Sequence, residues 1–170
     1  MELRKTVRLS MLLALSIVLS LIESYIPIVG SIIPGVKLGL ANAVIILVIY
    51  FYSFKDALFL SITRVLLLGI IRTGLFNIIF FFSLNGALFS IVTMYIAKRF
   101  TKLSIVGVSI IGSLSHSVGQ IVIVIIFLNN LNIIFYLPYL LLFSIPTGII
   151  VGLTAKEVLS LYQKLEIKSY

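Results

Sequence analysis

Six apolar runs, separated by short polar breaks, decide what this chain can fold into. They cover Val7–Ile26, Leu38–Phe54, Ala57–Ile71, Leu75–Ala97, Ile105–Leu128 and Ile134–Ala155, placed to within about three residues. Several approach the roughly 20 residues that a helix needs to cross a bilayer. Charged residues make up 11% of the 170, against about a quarter in a soluble domain, too few to cover a water-facing surface. A membrane barrel would alternate apolar and polar residues over about ten positions. Runs such as "LLALSIVLSLI" and "IIFFFSLNGALFSIVTMYI" are apolar on every side instead. The sequence therefore predicts an all-α, polytopic membrane protein with six transmembrane helices in one domain over residues 1–170. The third run is short and holds Arg64, so a helix hairpin or a broken helix competes with a simple span there.

Orientation follows from lysine and arginine in alternate breaks. One side receives Arg4, Lys5, Arg8, Lys55, Lys98, Arg99, Lys102, Lys156, Lys164 and Lys168; the other receives only Lys37 and Arg72. Positive loops stay in the cytoplasm, which puts both termini inside. The same placement explains the net charge of +8 by orientation and lipid headgroups. No basic stripe is interleaved with surface aromatics, which argues against a nucleic-acid partner. The first run is too long for a signal-peptide core and lacks a small-residue cleavage site, so it is expected to be retained. Cysteine is absent, which excludes thiol chemistry and thiolate metal sites.

Charges at membrane depth are costly and face protein or a water cavity. Glu23, Arg64, Arg72 and His116 are the candidates, and Lys37 joins them as an outer-side exception to the charge rule. In "GVSIIGSLSHSVGQ", Gly112, His116 and Gln120 recur every four residues, with Ser109 and Ser113 beside them. That stripe is either ligand-facing or a close-packing face hydrogen-bonded to a neighbouring helix. Glu23 with Arg64 or Arg72 is either a buried structural pair or part of a binding site. Acids are outnumbered in the outer half, where Glu23 stands against Lys37, Arg64 and Arg72, which favours an anionic or polar small-molecule solute. Asn42, Asn77 and Asn85 add amides near the same spans. Ser10 with Ala14, and Gly148 with Gly152, have the four-residue spacing that lets helix backbones approach.

"PGVKLGLANAVIILVIY", "FKDALFLSITRVLLLGI", "SLNGALFSIVTMYIAKR", "GVSIIGSLSHSVGQIVI" and "LPYLL" together resemble the bacterial Gx transporter family, also labelled heptaprenyl diphosphate synthase component I. That family is similar to the substrate-binding S components of energy-coupling-factor (ECF) transporters, six-helix binders with cytoplasmic termini in the bacterial cell membrane. The resemblance implies a gate loop carrying Pro27, Pro34 and Gly35. It implies ligand contacts from Lys37, Asn42, Arg64 and Arg72, with His116 and Gln120 on the wall. It also implies partners: a transmembrane scaffold subunit and two cytoplasmic ATPases. In S components the docking face is an alanine-xxx-alanine pattern on the first helix; here it reads Ser10-xxx-Ala14.

The synthase label implies something else. Prenyl synthases hold diphosphate through magnesium and two aspartate-rich motifs, and hard cations need several carboxylates. The acids here are Glu2, Glu23, Asp56, Glu157 and Glu166, no two close in sequence. That argues against a metal site, a resident cofactor or prenyltransferase catalysis, and leaves at most a non-catalytic membrane subunit. One histidine, one aspartate and no GxxxxGK loop leave no reactive constellation either.

Overall fold

Charge-free, branched and leucine-rich stretches close their backbone hydrogen bonds internally, because an apolar surrounding offers none. The computed structural model describes residues 2–25 and 39–168, and they form six helices. These are α1 (Glu2–Tyr25), α2 (Leu40–Phe51), α3 (Phe54–Leu68), α4 (Ile78–Phe100), α5 (Ile105–Leu128) and α6 (Leu137–Lys168). A π-helical turn, Gly69–Thr73, extends α3, and a 3-10 turn, Leu131–Tyr136, leads into α6. α1, α4, α5 and α6 (with that turn) are long and apolar enough to cross a membrane. α2, at 12 residues, spans only about 18 Å. Arg64 does not break its segment, so a single helix stands where a hairpin was an alternative. Pro27, Pro34, Gly35 and Lys37 lie outside the described residues.

Short polar side chains start the helices. Ser53 and Asp56 form a capping box on α3: the Asp56 N–H donates to Ser53 Oγ at 3.2 Å, and Asp56 Oδ2 accepts from the Ser53 N–H at 3.1 Å. Asn77 caps α4 through the Ile79 N–H, and Ser104 caps α5 through the Gly107 N–H.

Four contacts fix how the helices alternate. Lys5 pairs with Asp56 at 2.8 Å, joining the amino ends of α1 and α3. Lys98 Nζ donates to the Ile49 carbonyl at 2.7 Å and sits 4.5 Å from the Tyr50 ring centroid, joining the carboxyl ends of α4 and α2. Phe54 meets Tyr95, and Phe51 meets Tyr162 on α6. One end of the bundle thus gathers the amino ends of α1 and α3 and the carboxyl ends of α2, α4 and α6. It is also the end that holds most of the lysines and arginines.

Burial opposes ionisation of Asp56, but the bonds from Lys5 and Ser53 outweigh it and hold its pKa below the ordinary aspartate value. A depressed folded-state pKa contributes stability above the unfolded pKa and loses it as pH falls through the folded one. The melting temperature should therefore hold from pH 7 to about 5 and decline below the ordinary aspartate range. Lys5 is 46% exposed, so this effect stays within about 1 kcal/mol. Asp56→Asn should flatten that acid limb in a pH series of thermal melts.

The core centres on α2, whose Ile45, Ile46, Val48 and Ile49 are almost fully enclosed and pack with Leu60, Ile91, Met94 and Val108. α5 packs most closely, against α4 on one side and α6 on the other. On the α6 side, Gly148 lies against Ser113 Oγ and a Cβ there would stand 2.8 Å from Ile110 Cα; at Gly152 it would stand 2.7 Å from Val106 Cα. Ser113 Oγ donates to the Ser144 carbonyl at 2.7 Å, and the Ser117 and Ser144 hydroxyls meet at 2.6 Å. This polar seam lies beside Pro146, which removes an N–H from the ladder of α6.

Candidate functional site

Arg64 is the most unusual side chain in the bundle. It lies on α3, ten residues from the basic end, which is about 15 Å at the helical rise. Asn42 on α2 is nine residues from that end, at nearly the same height. The two meet: Arg64 Nη2 donates to Asn42 Oδ1 at 3.2 Å. The long helices α4 and α5, of 23 and 24 residues, run about 35 Å, so the contact falls near mid-height of the bundle. Arg64 is 5% exposed, and its Nε and Nη1 have no hydrogen-bond partner among the described residues. A guanidinium carries five N–H groups, and only one is accounted for.

Asn42 sits in the first turn of α2, and the entry to that helix is built without a cap of its own. Gly39 precedes it at φ +76°, in the left-handed region that a glycine adopts without Cβ strain. With no side chain to close the turn, the Gly39 N–H donates instead to Glu23 Oε1 of α1 at 2.5 Å. The Glu23 carboxylate thus lies at the positive end of the α2 dipole. It also acts electrostatically on Arg64. One turn of α2 therefore collects a carboxylate from α1, an amide from α2 and a guanidinium from α3.

Of the residues singled out in the sequence, the structure brings Glu23, Asn42 and Arg64 together. Arg72 stands exposed on the π-helical turn. His116 and Gln120 lie where α5 crosses α4. A Cβ on Gly86 would stand 2.9 Å from His116 Cε1 and Nε2 and 3.0 Å from Gln120 Cγ. Gly112 lies as close to Met94, and Asn85 Nδ2 donates to the Gly119 carbonyl at 2.6 Å. Ser109 and Ser113 turn the other way, to Gly152 and Gly148 of α6. The stripe thus divides between two helix contacts. Ser10 and Ala14 are exposed along α1. Gly39 was not singled out by sequence; the signal was a glycine three residues ahead of a polar first-turn residue, masked by reading the helix from Leu38.

The groups at the first turn of α2 are hydrogen-bond donors and one carboxylate, and no cluster of three or more metal-ligating side chains occurs among the described residues. Asn85→Ala should cost about 1 kcal/mol, the usual value of an interhelical hydrogen bond between apolar helices, read as a lower melting temperature.

Among curated proteins and solved structures, none matches the chain. The model of one family, heptaprenyl diphosphate synthase component I, matches residues 12–158. Since that match runs from α1 into α6 and takes in Glu23, Asn42 and Arg64, the chain belongs to the heptaprenyl diphosphate synthase component I family.

Proposed function

We propose that the chain is the substrate-binding S component of an ECF-type transporter in the bacterial cytoplasmic membrane, taking up a small solute that carries an anionic group. Six spans with both termini in the cytoplasm fit the basic end of the bundle. The observation that carries the reading is Arg64: a guanidinium enclosed at mid-height with most of its donors unspent. A charge kept in that state destabilises the protein unless something completes it. A short helix whose amino end starts beside it supports the same reading, because transporters place such ends near the bilayer midplane to meet anionic groups. The positive charges of Lys37 and Arg72 attract the solute, and the segment carrying Pro27, Pro34 and Gly35, outside the described residues, serves as the gate that the family resemblance implies. His116 and Gln120 serve the α4–α5 contact that forms the far wall. The chain carries no nucleotide loop, so energy comes from a scaffold subunit and two ATPases, docked along Ser10 and Ala14 of α1.

The family description favours a second reading, a non-catalytic membrane subunit of a heptaprenyl diphosphate synthase. Mild-detergent copurification from native membranes separates the two. A transmembrane scaffold with two ATPases is the expected companion set; a soluble prenyl synthase in its place would overturn the transporter reading.

A further inference from the structure

Arg64 stands enclosed with one hydrogen-bonded partner among the described residues, and that partner is uncharged. Its Nη2 donates to the side-chain oxygen of Asn42 at 3.2 Å. Resting on the reading of Arg64 as the anion anchor, we propose that Asn42 is the positioning residue of that site. It fixes the plane of the guanidinium through a neutral oxygen and leaves the charge to the solute. Asn42 then acts through Arg64, where the family resemblance implies a direct ligand contact.

A guanidinium donates and never accepts, so the Asn42 amide can meet it only through Oδ1. That sets the amide: Nδ2 turns to the Gly39 side, where a Cβ on Gly39 would stand 3.6 Å from it. Asn42 is held in its turn. Its N–H donates to the Gly39 carbonyl at 2.8 Å, and its neighbours Ala41 and Ala43 are buried in the helix that centres the core. Whichever Nη2 hydrogen Asn42 takes, one two-pronged edge of the guanidinium keeps both its N–H groups, the geometry that a carboxylate or phosphate accepts. Charge matters as much as geometry. Aspartate has nearly the shape of asparagine, but here it would set a carboxylate at bonding distance from Arg64. That pair would be complete without a solute, and an incoming anion would meet a like charge. Glu23 also acts on Arg64, but through space, while its carboxylate accepts from the Gly39 N–H.

The test uses the full-length protein in nanodiscs, with acetate, butyrate and inorganic phosphate as probes and calorimetry as the readout. At least one probe should bind the unmodified protein and fail to bind Arg64→Gln. Asn42→Asp should weaken that probe about a hundredfold or more, because the anion meets a like charge, with a melting temperature no lower than the parent's. Asn42→Leu, neutral but without an acceptor, should weaken it about tenfold through lost preorganisation. A spectroscopic readout separates holding from touching. With arginine nitrogens isotopically labelled for NMR, ligand-free Arg64 should give two resolved Nη signals, identified by their loss in Arg64→Gln. They should merge in Asn42→Leu, where the guanidinium turns freely. Unchanged binding in either Asn42 variant overturns the proposal. So do Nη signals already merged in the unmodified protein, or still resolved in Asn42→Leu. If binding depends on Arg64 but not on Asn42, the anion reading stands and this inference falls. If no probe binds, or Arg64→Gln binds every probe like the unmodified protein, both fall.

Discussion

Arg64→Met should abolish retention of the solute and leave the ligand-free protein folded, with a melting temperature within a few degrees of the unmodified protein. Removing a charged, desolvated hydrogen-bonding partner weakens binding by about 2–5 kcal/mol, roughly 30-fold or more. Stability behaves differently. Replacing a buried charged group with an apolar side chain of similar volume is often neutral or stabilising. Here the guanidinium gives up one described hydrogen bond, to Asn42, while Glu23 keeps the Gly39 N–H. A purely structural Arg64–Glu23 pair would show the reverse pattern, a loss of about 3–5 kcal/mol on removing one partner with no change in what the protein retains. Arg64→Lys refines the test: it keeps the charge and loses the planar fork, so it should bind weakly rather than not at all. Thermal melts and mass-spectrometric assay of retained solute, run on the same preparations, read both quantities.

The second large effect belongs to the α5–α6 seam. Gly148→Val with Gly152→Val should prevent these helices from meeting. Added methyl groups would press on Ile110 Cα and Val106 Cα, which are backbone and cannot rotate away. The Ser113 hydroxyl, which Gly148 touches, would also be pushed from the Ser144 carbonyl. Overpacking costs about 1–3 kcal/mol per site, and with two sites on one interface the monodisperse yield should collapse. Leu153→Val, on the exposed face of the same helix, should stay within about 0.5 kcal/mol of the unmodified protein. A double valine variant that melts like its parent would mean that α5 and α6 are packed some other way.

Much of the helix content was legible because apolar run length reports it directly. Ile105–Leu128 is the same in sequence and structure, since Ser104 caps one end and Asn129 turns left-handed at the other. The errors have physical causes. α4 begins at Ile78 rather than Leu75 because Gly74 and Phe76 adopt positive φ, so apolar residues there form an exposed turn. α6 runs on to Lys168 because charged residues past Ala155 still favour helix, although hydropathy ends at that point. α2 starts at Leu40 because Gly39 is left-handed, a conformation that no apolar count reveals.

The site was half legible. Glu23, Arg64 and Asn42 stood out because polar groups are expensive among apolar helices. Their meeting was not readable, because it depends on where α2 begins and how high Arg64 sits on α3. The four-residue stripe of Gly112, His116 and Gln120 marked a helix face correctly, but periodicity does not say what that face meets. The structure answers with Gly86 and Met94.

The most direct measurement is native mass spectrometry of the protein released from nanodiscs, prepared from its own membranes without any added ligand. The account predicts an extra mass on the unmodified protein from a small molecule bearing an acid group, missing from the Arg64→Met preparation. The same adduct on both proteins, or none on either, would contradict it.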